Sequence, residues 1–370
     1  MFSRFPRAFP PCTTGSSRRS FLQWVLLLLA GCGRRERLTC PGAHGTPPQG
    51  IIYTVTGPIQ ANDLGPALTH EHVVTDFLGA EKAPGPRYDP ELAFQQILPH
   101  LHALRARGVQ ALFECTPQYI GRDVRLLRRL AQHSGLRIIT NTGYYGAVGC
   151  RYLPRHAFEE TADQLAKRWL QEWLQSIEGT SIRPGFIKLG TDRGPLSPLH
   201  EKLLRAAARV HLQSGLTICA HTADGVAAFD QIRILHAEGV HADAFVWAHA
   251  QNGSDEERVR AARLGAWISL DGYNLRAGTP EHYVRMLLHL KQAGCWHRVL
   301  VSHDDGWAVE GEQLRQAVIK PFHNGNPVPY TAVCTRLQPD LLAAGVTARE
   351  LDQLLRTNPA RAFAIRVRAL

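Results

Sequence analysis

The chain of 370 residues reads as an α/β protein, a single-domain (β/α)8 TIM barrel behind an N-terminal export or lipoprotein leader. Two observations carry that expectation. Eight short apolar, β-rich runs alternate with segments of helical period, which is the pattern of a parallel α/β fold, and eight strands close into a barrel of about 250 residues or more. Side chains able to bind a metal fall at or near the ends of five of those runs, spread over roughly 235 positions. Residues so far apart converge only if a closed sheet brings its strand ends together.

The strands are expected at 65–70, 109–115, 136–140, 186–190, 216–221, 245–249, 266–271 and 299–304, each an apolar run bounded by polar or turn residues. Between them, 93–107, 124–133, 159–177, 201–213, 225–237, 256–264 and 281–293 have helical period and composition. The barrel domain is placed at 56–366.

Residues 1–31 read as a signal peptide. Ser17-Arg18-Arg19-Ser20-Phe21-Leu22-Gln23 precedes an apolar run from Trp24 to Ala30, too short to span a bilayer, and looks like a twin-arginine signal. Leu29-Ala30-Gly31-Cys32 resembles a lipobox, whose cysteine is acylated; an ordinary cleavage site there would export the protein equally. Residues 32–55 form a tether, polar and Pro/Gly-rich as far as Gly50. The expectation is an exported bacterial protein, periplasmic or held to the membrane only through Cys32.

With 44% hydrophobic and 20% charged residues and no repeat, the composition is that of one globular unit. Of the formal charge of +10, four units come from Arg4, Arg7, Arg18 and Arg19 in the leader. Arg122, Arg125, Arg128 and Arg129 are spaced as a solvated helix face, and no aromatic-interleaved basic motif points to nucleic acid. Of eight cysteines, Cys12 and Cys32 belong to the leader region, Cys40 to the tether, and Cys115 and Cys219 to strands. Disulfides among Cys150, Cys295 and Cys334 stay open.

His70 and His72 flank Glu71, and residues two apart at a strand end share a face, so both imidazoles can reach one metal. His221 and His249 end the fifth and sixth runs, and Asp304 the eighth. Lys188, inside the apolar run FIKLG, would cost several kcal/mol if buried as a bare ammonium. Carbamylation by carbon dioxide would turn it into a metal-bridging carboxylate; an ion pair with Glu114 or Asp304 is the alternative.

Six such residues in this order, with LTHEH at 68–72, GRDVRLL at 121–127, FIKLGTD, CAHT, LVSHD at 300–304 and TNPARAF at 357–363, make the chain similar to the phosphotriesterase family of the amidohydrolase superfamily, from about Thr56 to Phe363. The resemblance implies two divalent metals, most simply zinc, with Lys188 bridging, His70, His72 and Asp304 completing one site and His221 and His249 the other. It implies a hydrolase in which the metal pair activates a shared water and Asp304 takes its proton. Tyr145 matches an active-site tyrosine of lactone-hydrolysing relatives; a rim aromatic is the plainer reading.

Where organophosphate-degrading members relay that proton onward, this chain has Asn252 and Gly272, which argues for an ester or lactone over a phosphotriester. A phosphotriester or N-acyl amide hydrolase on the same site is the alternative. A mononuclear deaminase would leave Lys188 unexplained, and a non-catalytic exported metal- or solute-binding lipoprotein would leave Asp304 without purpose. The long segment 305–336, with Trp307, His323, Asn324 and Tyr330, is the expected seat of specificity. His303 and Asp305 read either as supports of the metal ligands or as an exposed pair. The expected partner is a small-molecule substrate, and a homodimer is left open.

Overall fold

The computed structural model describes residues 50–82, 85–311, 317–322 and 325–370, so the leader and all but the last residues of the tether lie outside the described residues. Eight parallel strands follow one another: β1 (Ala67–Glu71), β2 (Ala111–Glu114), β3 (Arg137–Ile139, continuing as Asn141–Thr142), β4 (Phe186–Thr191), β5 (Thr217–Thr222), β6 (Phe245–Ala248), β7 (Trp267–Leu270) and β8 (Val299–Val301). Each pairs with the next in sequence. The ring closes where the Asp304 N–H donates to the His70 carbonyl at 3.1 Å and the His70 N–H to Ser302 Oγ at 3.0 Å. The expected eight-stranded α/β barrel is therefore present.

Helices α1 (Pro90–Ala106), α2 (Val124–Ser134), α3 (Ala162–Gln175), α4 (Pro198–Ser214), α5 (Gly225–Ala237), α6 (Asp255–Arg263) and α7 (Thr279–Gln292) follow the first seven strands. Four of these helices start one to three residues earlier than expected, and one starts later. The helix expected over 159–177 is broken before Ala162, because Thr161 and Gln164 form a reciprocal capping box that starts α3 afresh.

The alternation of strand side chains builds two apolar layers. Ile187, Leu189, Ile218, Ala220, Phe245 and Trp247 pack outward with the helices. Phe113, Ile139, Phe186, Cys219, Val246 and Leu300 pack inside, where Phe363 from the C-terminal helix enters with ring centroids 4.2 Å from Phe113 and 5.5 Å from Phe186. Lys188 shares the inward face of β4 with Phe186, so the strand that supplies core also supplies the buried amine. All five described cysteines are free thiols, so the disulfides left open among Cys150, Cys295 and Cys334 do not form. No described helix is long and apolar enough to cross a membrane.

Candidate metal centre

The six expected residues converge at the C-terminal ends of the strands. A register irregularity in β1 between Leu68 and Glu71 shifts the phase of alternation, and His70 and His72 then share one face. His249 and Asp304 sit just past β6 and β8 in the left-handed region, with φ of 62° and 61°, a conformation that His and Asp tolerate better than most residues. Gly143 belongs to the same design: its φ is 107°, and a Cβ there would lie 2.4 Å from the Lys188 carbonyl.

Asp304 Oδ1 lies 3.0 Å from His72 Nε2 and 3.4 Å from His70 Nε2. These three residues offer ligand atoms close enough to hold one ion. The His70 ring stands 4.8 Å from that of His249, which stands 4.5 Å from that of His221. Lys188 is 1% exposed and its Nζ lies 2.9 Å from His70 Nε2. It forms no ion pair within 4.0 Å among the described residues; Glu114 instead accepts the Val73 N–H at 3.2 Å. The ion-pair alternative for Lys188 is thus not what the structure contains.

Asp271, which the sequence reading passed over, organises the imidazoles. It follows β7 fully buried, with Oδ2 2.6 Å from His70 Nδ1 and Oδ1 2.8 Å from His249 Nδ1, and it also accepts the His249 N–H at 2.9 Å. With Nδ1 of both rings engaged, Nε2 of both is left for the cleft. His72 is held likewise, its Nδ1 2.8 Å from Thr116 Oγ1. A signal existed: Asp271 closes the apolar run AWISLD as Asp304 closes VLVSHD.

Burial, with Lys188 beside it, pushes the His70 imidazole down to about 4 although Asp271 pulls the other way. Burial and the neighbouring His249 and Lys188 push His221 well below its ordinary value. Burial alone would raise the Asp304 carboxyl, but His70, His72 and His249 outweigh it and keep it ionised. His249 is raised against its burial by Asp271.

Tyr145 Oη lies 3.2 Å from His221 Nδ1. Burial and then the Asp304 charge raise its phenol, which stays protonated. His303 and Asp305 are fully buried rather than an exposed pair. They hold Glu71, between His70 and His72: its Oε1 accepts from Ser302 Oγ at 2.8 Å and lies 2.7 Å from His303 Nδ1, while Oε2 accepts the Asp305 N–H at 2.9 Å. Of the segment expected to set specificity, Trp307 and Tyr330 are fully buried, and Tyr330 Oη donates to the His72 carbonyl at 2.6 Å. These two aromatics brace the site instead of lining it; His323 and Asn324 lie outside the described residues. Phe322 does face it, 5.8 Å from the His72 ring.

The model of the phosphotriesterase family matches residues 50–363. This chain belongs to the phosphotriesterase family. It is 29% identical over 302 residues to the phosphotriesterase homology protein of Escherichia coli (strain K12), covering 81% of this chain and 98% of that protein. It is 27% identical over 354 residues to N-acetyltaurine hydrolase of Homo sapiens, covering 84% of this chain and 97% of the relative. A solved structure described as the engineering of organophosphate hydrolysis activity from a weak promiscuous lactonase template superposes with a TM-score of 0.74 at 29% identity, over 85% of this chain and 99% of that one. As a member of this hydrolase family the chain carries His/Asp groups that could bind metal.

Proposed function

We propose that the protein is a hydrolase of ester, lactone or related acyl bonds that uses two divalent cations, zinc first among them. Lys188, carbamylated by carbon dioxide, would ligate both; His70, His72 and Asp304 would complete one site, and His221 and His249 the other. The observation that carries the proposal is Lys188 itself, a buried amine 2.9 Å from His70 with no acid within 4.0 Å of its Nζ among the described residues. A bare buried ammonium is costly, and the carbamate turns it into an anion that the cations neutralise. When bound, such a pair supplies Lewis acidity and a water acidified to pKa about 7.

The chain's own groups do the rest. The ionised Asp304 carboxylate accepts a proton, the Tyr145 phenol donates a hydrogen bond toward a substrate oxygen beside His221, and Asp271 with Thr116 keeps three imidazoles oriented. With Asn252 exposed and Gly272 lacking a side chain, no relay follows Asp304 at those positions. That supports an acyl substrate over a phosphotriester. The similarity to N-acetyltaurine hydrolase favours an N-acyl amide as the second reading.

A panel of lactones, aryl esters, N-acyl amides and phosphotriesters, assayed with zinc analysis, tests the proposal. Lys188→Ala should lose both metals and activity, with partial recovery in short carboxylates; an unmodified lysine in the metal-loaded enzyme would contradict the carbamate. Export by the twin-arginine route belongs to the same proposal, and replacing Arg18 and Arg19 with Lys should hold the precursor in the cytoplasm.

A further inference from the structure

Gly272 is not empty space. A Cβ on it would lie 2.6 Å from Gln251 Nε2 and 2.9 Å from Tyr283 Oη. Both groups are fixed there by hydrogen bonds. The Gln251 side chain crosses from the turn after β6 to the end of β7, where the Asp271 N–H donates to its Oε1 at 3.2 Å and its Nε2 donates to Asp271 Oδ1 at 3.4 Å. A backbone N–H can only donate, so the amide has one allowed orientation. Tyr283 reaches in from α7, and its Oη accepts the Gly272 N–H at 3.0 Å.

We infer that Gln251 is a positioning residue of the metal centre, gripping Asp271 by its backbone and its carboxylate at once. Through Asp271 it sets the rings of His70 and His249. It also fills the volume that any side chain at position 272 would need. This role rests on the hydrolase reading of the site, since it concerns how that site holds its cations. The hydrogen bonds of the Gln251 amide go to Asp271, and through Asp271 it reaches His70 and His249.

Zinc affinity, measured by competition with a chelator, tests the inference on the wild type, Gln251→Glu, Gln251→Ala, Gly272→Ala and the double variant Q251A/G272A, with metal-free melting followed in parallel. Gln251→Glu keeps the side-chain volume but sets a second carboxylate against Asp271 Oδ1, and it should weaken zinc binding roughly 10- to 100-fold, the effect expected for lost support of a metal-ligating histidine. Gln251→Ala should also weaken it. Gly272→Ala should weaken it at least as much as Gln251→Ala, because its Cβ displaces the same amide and also presses on Tyr283 Oη, and the double variant should be no weaker than the weaker single. Wild-type affinity in both Gln251 variants, or additive losses in the double variant, would overturn the role of Gln251. A wild type that binds no zinc would overturn the hydrolase reading along with it.

Discussion

At the scale of single residues, Asp304 is asked to do two things, and an amide separates them. Asp304→Asn can still ligate weakly through its carbonyl oxygen but cannot take a proton, so kcat should fall by orders of magnitude while much of the metal stays bound. A variant that lost metal and activity in equal measure would make Asp304 a ligand alone. The candidate ligands were legible in the sequence because all but Lys188 fall at or just past the end of an apolar run and Lys188 lies inside one, where a polar side chain needs a reason. Asp271 carried the same mark but not the family's ligand pattern, and its value lies in Nδ1 contacts that no spacing reveals. Glu71 was hidden differently. Between two residues that face the site, it faces the other way, and its partners Ser302 and His303 are more than two hundred residues distant.

At the scale of elements, the loop after β3 is held under strain. Val148, Gly149 and Cys150 are all left-handed, with φ of 60°, 67° and 61°, and a β-branched residue there costs on the order of 1–3 kcal/mol. Asp192, beyond β4, compensates by accepting the N–H groups of Val148 at 2.7 Å and Gly149 at 3.0 Å. Tyr145 belongs to this loop. Asp192→Ala should speed hydrogen exchange at both amides about tenfold, equivalent to about 1.4 kcal/mol, and lower kcat/KM through Tyr145; unchanged exchange would mean that the clamp holds nothing. Strands and helices were legible from their periods, since burial of one face dictates both. The loop conformation was not, for its left-handed turns depend on a carboxylate more than forty residues on.

At the scale of the molecule, the C-terminal tail seals the barrel through a histidine far from the cleft. His211 on α4 donates from Nδ1 to the Leu216 carbonyl at 2.8 Å, and its Nε2 accepts the Arg368 N–H at 2.9 Å. The Arg368 guanidinium meanwhile donates to the carbonyls of Ala362 at 3.0 Å and Ala364 at 3.2 Å. A protonated His211 could not accept from Arg368, and burial pushes its pKa down to about 4. Below pH 6.5 the unfolded chain therefore binds a proton that the folded chain refuses. Stability is lost as pH falls from 6.5 toward 4, by up to about 3 kcal/mol. Urea unfolding at pH 7 and pH 4.5 should show this loss shrink in His211→Gln, and an equal loss in both proteins would place the titration elsewhere. The barrel exists to bring six distant side chains to one place, and the central claim is that they hold a pair of ions bridged by Lys188. Metal content per chain, measured on residues 50–370 purified with zinc, is the decisive measurement. Close to two ions per chain are expected; a single ion at full occupancy would rule out the bridged pair.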